Sequence, residues 1–557
     1  MTMHLSVASN GEPFETTAAS YAVQVIDGAG RSMTREGFTA EDAHKPSTVL
    51  DRVDIGAILP DLSGRRAVEA MLRATGRHDG MTLLQEFHRL GWMRDADTGR
   101  HVFLAPAGSV TAEGPTPEFA VGSPVGSQAG AGTTAAMAIG YPDIPQSNED
   151  IRTAAKAIRA FYDVLPKRPD VVSAILGAVF ASPLGLSRRC TVFITAGVGV
   201  GKTNVAACGQ AFINRDTSAI SFTGGPIAND SVVAAGVKTD WARNTVSFWD
   251  DYAMGVDPKV NDRVNQITSD IIKLSYGQDG ASGGTAAGGL RASRKADSIA
   301  IITGEAIPAG AGLVSRIVQI KLEAEEVALA PFGTSPYDRF MREFAVSARQ
   351  LHGAYLQWLA ARVDEAGFPA FTRSNDEAKK RWGQAGAGRT SETVAVLGVG
   401  MTLFREFSKA RGFEDMLPTV DEVDGGLMGL IAGNEVAVAD SNPASLLIAN
   451  VRDAIAAKVG YVDSRTPQKL SDRVRRRLGW VERVGYNSEG ARTTSFEPGN
   501  FRIGYVSDDR RHVVILNEAL TTIARKTALS GVPKGQLKLA VAGLVVLPID
   551  VVNTFDG

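Results

Sequence analysis

A glycine-rich loop that ends in lysine and threonine lies between a β-branched run and a helical stretch, in the segment TVFITAGVGVGKTNVAACGQAF. Strand, loop and helix follow one another in the order that phosphate binding needs. Glycines let backbone N–H groups wrap phosphate oxygens, and the helix N-terminus adds partial positive charge. We expect Lys202 to reach the β- and γ-phosphates of ATP and the Thr203 hydroxyl to ligate Mg²⁺. The predicted nucleotide-binding residues are Ala196, Gly197, Val198, Gly199, Val200, Gly201, Lys202, Thr203 and Asn204.

Two carboxylates end the apolar run TVSFWDD. Such a run is typical of a buried parallel strand whose carboxyl end opens on a ligand crevice. We expect Asp250 to hold the Mg²⁺ shell and Asp251 to polarise the attacking water as general base. Alone, the pair would indicate a solvated strand end. Following the glycine loop, it predicts a nucleotide held between two adjacent strand tips and disfavours a chance glycine turn at 196–203.

A third apolar run and two arginines complete the predicted site. The run SIAIITGE places Thr303 and Glu305 where a γ-phosphate or its water could be contacted. Arg316 precedes a further apolar strand, and in ring ATPases an arginine there stabilises transition-state charge on the neighbouring subunit's nucleotide. The alternative for Arg316 is a surface salt bridge. Arg389 lies near the start of an apolar helix, as a second sensor in a helical lid or as a solvated residue near a helix cap.

Length and composition bound the fold and the partners. The length of 557 residues indicates several domains, and a content of 44% hydrophobic and 22% charged residues is ordinary for a globular protein. Alternating strands and helices over 190–325 indicate an α/β unit. A net charge of -2 excludes a generally basic nucleic-acid binder, so any DNA contact must come from local patches. Cys190 and Cys208 cannot form a zinc site alone, and we expect free thiols in a reducing cytoplasm. Neither a signal peptide nor a membrane span is expected.

Composition and periodicity suggest where the domains divide. GWMRDADTGRHVFLAPAGSV predicts a hairpin that turns at Asp97-Thr98-Gly99, and the stretch after it is rich in Gly, Pro, Ser, Ala and Thr. Alternating strands and helices follow, which argues for a mostly parallel sheet. We predict a flexible arm over 1–60, an α+β domain over 61–113, a linker over 114–147, an ATPase core over 148–330, a helical lid over 331–440 and a winged-helix-like DNA-binding domain over 441–557.

Two basic segments are candidates for DNA contact. An insert before the third strand carries Arg291, Arg294 and Lys295, as a pore-facing hairpin or as a solvated surface loop. A second cluster, near Trp480, belongs to a winged-helix unit or to an ordinary solvated helix face. It comprises Arg473, Arg475, Arg476 and Arg477.

Residues from about 85 to 410 resemble the DUF927 family of predicted ATPases, which looks like the motor of replicative helicases of mobile elements, including Cch-type helicases. The segments similar to that family are GWMRDADTGRHVFLAPAG, TAGVGVGKT, SFWDD, IKLSYGQDG and IITGEAIPAGAGLVSRIVQI. VSRIVQI also looks like the arginine motif of MCM ring helicases. Asp251 stands where Glu is more usual, and a Gly-Lys-x-Arg motif appears only as GGLRASRK. The resemblance implies an AAA+ fold, ATP and Mg²⁺, a homo-hexameric ring and DNA translocation.

Three functions are compatible with these motifs. The first is a DNA helicase that replicates a phage, plasmid or other mobile element, hydrolysing ATP at subunit interfaces. The second is a DNA-binding ATPase that loads or remodels other replication proteins without unwinding. The third is a non-enzymatic DNA-binding module, and the intact set of Lys202, Thr203, Asp250 and Asp251 argues against it.

Overall fold

A computed structural model gives the fold. The described residues are 2–9, 16–26, 32–39, 84–87, 89–95, 98–116, 119–121, 139–186, 190–216, 224–253, 257–277, 297–308, 311–383, 389–440, 443–464, 471–486, 488, 491–506, 513–516, 519 and 523. Within them the chain forms mixed α/β structure around a five-stranded parallel sheet. No helix in this part of the chain is long and apolar enough to cross a membrane.

Among the described residues, nine strands precede the parallel sheet. They are β1 (Thr2–Ser9), β2 (Thr16–Ile26), β3 (Ser32–Thr39), β4 (Leu84–Phe87), β5 (Gly91–Arg94), β6 (His101–Leu104), β7 (Ser109–Thr111), β8 (Gly114–Thr116) and β9 (Phe119–Val121). One sheet has the order β3-β2-β1-β4-β9, and β5 to β8 form an antiparallel meander.

Three of these strands occupy the stretch predicted to be a flexible arm. β1 pairs antiparallel with β2, and β2 with β3, over most of their lengths. The segment SYAVQVI of β2 is rich in residues that favour strands, and ladder pairing satisfies backbone groups that a free arm would leave to water. The described residues of this stretch are therefore strands, and the division of the chain at residue 60 stays a prediction.

The hairpin predicted around residue 99 is confirmed. β5 pairs antiparallel with β6, and Gly99 in the turn has a positive φ of 71°. The hairpin docks on the later chain, because the Trp92 indole donates to the Pro183 carbonyl at 2.6 Å and the Leu90 amide donates to the Trp241 carbonyl at 3.0 Å. Residues 61–113 and 148–330 therefore share a core where they are described.

The predicted linker over 114–147 is ordered at both ends. β8 and β9 lie in its first part, and Ile139, Tyr141 and Ile144 are buried in the main core. Burial of these apolar side chains explains the order, because a solvated linker would leave them in water. Residues 122–138 lie outside the described part of the chain.

The parallel sheet and its helices follow. The helices before and within it are α1 (Asn148–Ala154), α2 (Lys156–Val164), α3 (Pro169–Ala181), α4 (Lys202–Gln210), α5 (Val232–Trp241), α6 (Pro258–Ser275) and α7 (Ala311–Val314). The strands are β10 (Thr191–Thr195), β11 (Gly225–Pro226), β12 (Val246–Tyr252), β13 (Ile299–Gly304) and β14 (Ile317–Lys321).

The strand order is β11-β12-β13-β10-β14, and every neighbouring pair is parallel. β13 thus lies between the strand that precedes the glycine loop and the strand that ends in the acidic pair. The prediction that these two strands are adjacent is wrong. Pairing order between distant segments is a tertiary property, which the local sequence pattern does not specify.

The helices predicted over 331–440 are present. They are α8 (Pro336–Arg339), α9 (Ala345–Ala366), α10 (Pro369–Gly383), α11 (Arg389–Arg411) and α12 (Val420–Asp440), with a π-helical turn at Phe340–Phe344. α11 packs so closely on α3 that a Cβ on Gly400 would lie 2.1 Å from the Gly177 carbonyl oxygen, and the Phe180 and Phe404 rings stack at 3.6 Å. These helices are a layer continuous with the main core, and their role as a lid stays a prediction.

The C-terminal unit has a small core of its own. Its elements are α13 (Pro443–Ala456), β15 (Gly460–Ser464), α14 (Asp472–Arg477), β16 (Val481–Tyr486), β17 (Arg492–Glu497), β18 (Phe501–Val506) and β19 (Val513–Ile515). Val451, Val462, Val474 and Ile503 are buried together in it. β18 joins β15 in parallel and β19 antiparallel, while β16 and β17 form a separate, largely exposed hairpin. The winged-helix assignment stays a prediction.

Candidate functional site

The glycine loop follows the fully buried strand β10. The Ala196 amide donates to the Gly304 carbonyl at 3.2 Å, which ties the start of the loop to the neighbouring strand β13. Gly199 and Gly201 have φ values of 77° and 100°, a backbone conformation that favours glycine over other residues. Val198, at the tip, is 84% exposed. The loop is therefore an open turn at the carboxyl edge of the sheet.

The N-terminus of α4 presents unsatisfied N–H groups. Gly201 is its N-cap residue and supplies no side-chain hydrogen bond. Lys202, the first helical residue, is half-buried and forms no hydrogen bond or ion pair with the described residues. Free amides, a helix dipole and an unpaired ammonium together suit an anion such as a phosphate group.

The acidic pair sits in a β-bulge. The register between β12 and β13 shifts between Trp249 and Tyr252, and Asp251 has a φ of 63°, which is unusual for a residue other than glycine. The bulge leaves Asp251 exposed while Asp250 is half-buried. Strained backbone of this kind often occurs at functional sites, where surrounding contacts hold it in place.

Three side chains from three elements meet at Asp250. The Thr203 hydroxyl donates to Asp250 Oδ1 at 3.0 Å, and the Thr303 hydroxyl donates to the same oxygen. The Asp251 amide donates to Thr303 Oγ1 at 3.2 Å. The fully buried Thr303 on β13 therefore bridges the gap between the glycine loop and the acidic strand.

The spacing of Thr203 and Asp250 fits a magnesium ion. Octahedral Mg²⁺ binds oxygen at about 2.0–2.1 Å, so two neighbouring ligands lie about 3 Å apart. The hydroxyl and carboxylate oxygens are 3.0 Å apart. They are also the hard oxygen ligands that Mg²⁺ prefers.

Glu305 and Gly304 follow Thr303 at the same edge. The Glu305 amide donates to the Tyr252 carbonyl at 3.1 Å, while its side chain is exposed and forms no hydrogen bond or ion pair with the described residues. A Cβ on Gly304 would lie 2.8 Å from that Tyr252 oxygen, so the bulge requires glycine there. Of the two predicted sensors, Thr303 reaches Asp250 directly and Glu305 does not.

Arg316 lies at the amino-terminal edge of the parallel sheet, opposite the carboxyl edge that carries the glycine loop. It precedes β14, whose first residue Ile317 pairs with Thr191 at the start of β10. A five-residue strand spans about 16 Å at ~3.3 Å a residue, and this length separates Arg316 from the loop that carries Lys202. Arg316 therefore cannot reach the phosphates that Lys202 of the same subunit would bind.

Arg316 lies near Arg389. Tyr276 and Glu392, which the sequence did not reveal, belong to the same group of contacts. The Arg316 guanidinium lies over the Tyr276 ring, 5.5 Å from its centroid, and donates to the Gly312 carbonyl. The Tyr276 hydroxyl donates to Glu392 Oε2 at 2.8 Å. Burial lowers the pKa of Arg316, and the positive charge of Arg389 lowers it further. Arg316 forms no ion pair with the described residues, against the alternative of a surface salt bridge.

Other contacts around the loop were also missed in the sequence. A Cβ on Gly201 would lie 2.6 Å from Leu329, so the segment after β14 packs against the loop. Tyr337 hydrogen-bonds the Asn204 side chain, and burial raises the pKa of this tyrosine to about 12. The sequence did not indicate that Leu329 and Tyr337 contact this part of the site, because they are distant from the loop in sequence.

The two cysteines are free and buried, as predicted. Burial raises the pKa of the Cys190 thiol to about 12 and that of Cys208 above its usual range. Among the described residues no cluster of three or more His, Cys, Asp and Glu side chains could hold a metal ion.

The predicted DNA contacts are mostly untested or already paired. Arg291, Arg294 and Lys295 lie outside the described part of the chain. In α14, Arg476 forms a two-pronged ion pair with Glu482 at 2.9 Å, and Arg475 lies 3.6 Å from Asp472 and over the Trp480 ring. Arg473 and Arg477 are exposed. Part of this cluster is therefore engaged within its own unit.

Comparisons with known proteins add little. No family model and no curated protein matches the chain, so the DUF927 resemblance stays a prediction. Similar solved structures include one titled "SCCmec type IV Cch - active helicase", which is 11% identical with a TM-score of 0.48. That alignment covers 94% of this chain and 86% of the other. This low identity and TM-score do not indicate a function for this chain.

Proposed function

We propose that this chain is an ATP-dependent DNA helicase of the AAA+ class, a ring motor that hydrolyses ATP between its subunits. The observation that carries the proposal is the meeting of Thr203, Asp250 and Thr303 beside the open glycine loop. An uncapped helix N-terminus, a free lysine and a carboxylate–hydroxyl pair at magnesium spacing are what a nucleoside triphosphate needs.

Each residue of the site has a role in hydrolysis. Loop amides and Lys202 bind the β- and γ-phosphates and neutralise charge on them. Thr203 and Asp250 would hold Mg²⁺, which supplies charge neutralisation for phosphoryl transfer when bound. Asp251, exposed by the bulge, orients and deprotonates the attacking water. Thr303 holds both aspartates in place, since it contacts the side chain of one and the amide of the other.

The position of Arg316 supports catalysis between subunits. It lies a full strand length from the glycine loop of its own chain and near Arg389, and in this proposal both arginines serve a neighbour's nucleotide. A head-to-tail interface that brings one subunit's edge to the next subunit's loop closes into a ring when the rotation allows. We propose a homo-hexamer on this basis and on the family resemblance.

The second candidate is a DNA-binding ATPase that loads or remodels replication proteins without unwinding. The observation that favours it is the pairing of Arg475 and Arg476 within the C-terminal unit, which leaves fewer free cations for DNA. Both candidates share the ATPase site and differ only in what hydrolysis drives.

Forked DNA separates the two candidates. The full-length protein, a fork with a fluorophore and quencher on its two strands, and ATP or a non-hydrolysable analogue are combined. A helicase separates the strands with ATP and not with the analogue. Single-stranded DNA that stimulates hydrolysis without strand separation would favour the second candidate, and no effect of DNA on hydrolysis would exclude both.

A further inference from the structure

A mostly buried arginine on α9 has no partner among the described residues. Arg349 is 8% exposed, yet its guanidinium forms no hydrogen bond or ion pair with the described residues. A mostly buried arginine without an ion pair loses part of its hydration and gains no attraction in return. An anion from outside the described residues would therefore stabilise Arg349.

Two loops bring a second arginine, Arg215, near Arg349. Ile139 forms a β-bridge with Asn214, which sets the corner that carries Arg215 beside the loop at 139–143. The Tyr141 hydroxyl and His352 Nδ1 lie 2.9 Å apart, and His352 is one helical turn from Arg349. Arg215, Tyr141 and Asp143 all act on Arg349 electrostatically, and Arg215 opposes its charge.

The charges in this cluster do not balance. Arg215 and the carboxylate of Asp143 both act on Arg349 electrostatically, and Asp143 is exposed and forms no ion pair with the described residues. Burial lowers the pKa of His352 to about 3, so this ring stays neutral at physiological pH and adds no charge. Counting Arg215 and Arg349 against Asp143 leaves a local excess of one positive charge.

We propose that Arg349 and Arg215 form an oxyanion site that binds one phosphate group, separate from the triphosphate site. Guanidinium groups bind phosphate oxygens through paired N–H donors, and a partly desolvated pair does so strongly. The site lies beyond the carboxyl end of α4, and this nine-residue helix alone places it more than about 13 Å from Lys202. The phosphate group comes either from a nucleic-acid backbone or from free phosphate.

Inorganic phosphate tests the site directly. Titration calorimetry at constant ionic strength uses full-length Lys202→Ala protein, in which the triphosphate site is disabled. We expect one phosphate to bind per chain, and Arg349→Gln or Arg215→Gln in that background to weaken binding by about tenfold or more, since a charged hydrogen-bond partner is lost. Arg362→Gln, on the same helix but at the surface, is the matched control and should bind as before.

Arg215 is exposed, so Arg215→Gln keeps the test valid even if Arg349→Gln disturbs folding. Phosphate binding that is absent from the Lys202→Ala protein, or unchanged by both arginine variants, would overturn the site. Affinity for a single-stranded oligonucleotide then identifies the source. A backbone phosphate predicts weaker DNA binding in Arg215→Gln and a salt slope reduced by about one, whereas unchanged DNA affinity assigns free phosphate.

Discussion

At the scale of single residues, Thr303 decides the geometry of the acidic pair. Its hydroxyl donates to Asp250 and accepts from the Asp251 amide, so one side chain fixes both the carboxylate and the strained bulge. The sequence indicates that this strand ends in polar groups near the phosphate. It gives no sign of the bulge, because the positive φ of Asp251 depends on the neighbouring strand.

Replacing Thr303 should therefore impair the chemical step more than nucleotide binding. In Thr303→Val we expect kcat for ATP hydrolysis to fall about tenfold to a hundredfold, the usual effect of one lost buried hydrogen-bond partner, with KM for ATP changed far less. Thr303→Ser keeps the hydroxyl and should retain most of the activity. Steady-state kinetics of both variants measure this, and equal losses in the two would refute the bridging role.

The residues of the glycine loop were predictable, whereas their support was not. Strand β10, the loop and helix α4 follow the predicted order along the chain. Tyr276, Glu392, Leu329 and Tyr337 were missed because each acts on a residue far away in sequence. A local motif identifies the residues that touch a ligand but not those that position them.

At the scale of elements, the end of α6 and the start of α11 hold the arginine that precedes β14. Tyr276 lies beneath Arg316 and donates to Glu392, which is less than one helical turn from Arg389. This contact joins the parallel sheet to the helical layer. A shift of either helix would move the Arg316 guanidinium with it.

Tyr276 is accordingly a positioning residue for Arg316. Tyr276→Leu should lower kcat for hydrolysis towards the level of Arg316→Ala while nucleotide affinity is kept, because the ring that supports the guanidinium is lost. Tyr276→Phe keeps the ring and removes the hydroxyl that donates to Glu392, so its loss of activity should be smaller. Hydrolysis and fluorescent-nucleotide binding are measured in parallel. A weaker nucleotide affinity with normal kcat in Tyr276→Leu would argue against this role.

Strand order shows where prediction from sequence stops at this scale. Strands β10, β12, β13 and β14 were recognisable from their apolar runs, but the two-residue strand β11 and the insertion of β13 between β10 and β12 were not. The insertion brings Thr303 between the loop and the acidic pair. Which strands pair is fixed by packing of the whole sheet, so local periodicity is silent about it.

At the scale of the whole molecule, one core runs through segments that composition had separated. Buried apolar residues as far apart in sequence as Phe87 and Ile431 belong to one cluster. Glycine- and proline-rich stretches suggested boundaries near 114 and 147, yet both flanks of that stretch contribute buried side chains. Low apolar content shows where a chain is locally polar, not where its core divides.

The two edges of the sheet predict how subunits cooperate. Arg316→Ala and Lys202→Ala proteins should each be inactive, and mixing them should restore hydrolysis, because some interfaces then combine an intact loop with an intact arginine. Random assembly of equal amounts makes about a quarter of head-to-tail interfaces complete. Hydrolysis measured across mixing ratios should peak near equal amounts. No recovery at any ratio would argue against catalysis between subunits.

If Lys202 and the Thr203–Asp250 pair bind the same triphosphate, loss of the Lys202 ammonium should abolish turnover, and the rate of ATP hydrolysis by Lys202→Ala measures this. Lys156→Ala, which removes an exposed lysine at the start of α2, is the matched control. We expect hydrolysis by Lys202→Ala to fall at least about a hundredfold, with the melting temperature and the control's rate unchanged. ATP hydrolysis that is retained in Lys202→Ala would show that Lys202 does not bind the triphosphate.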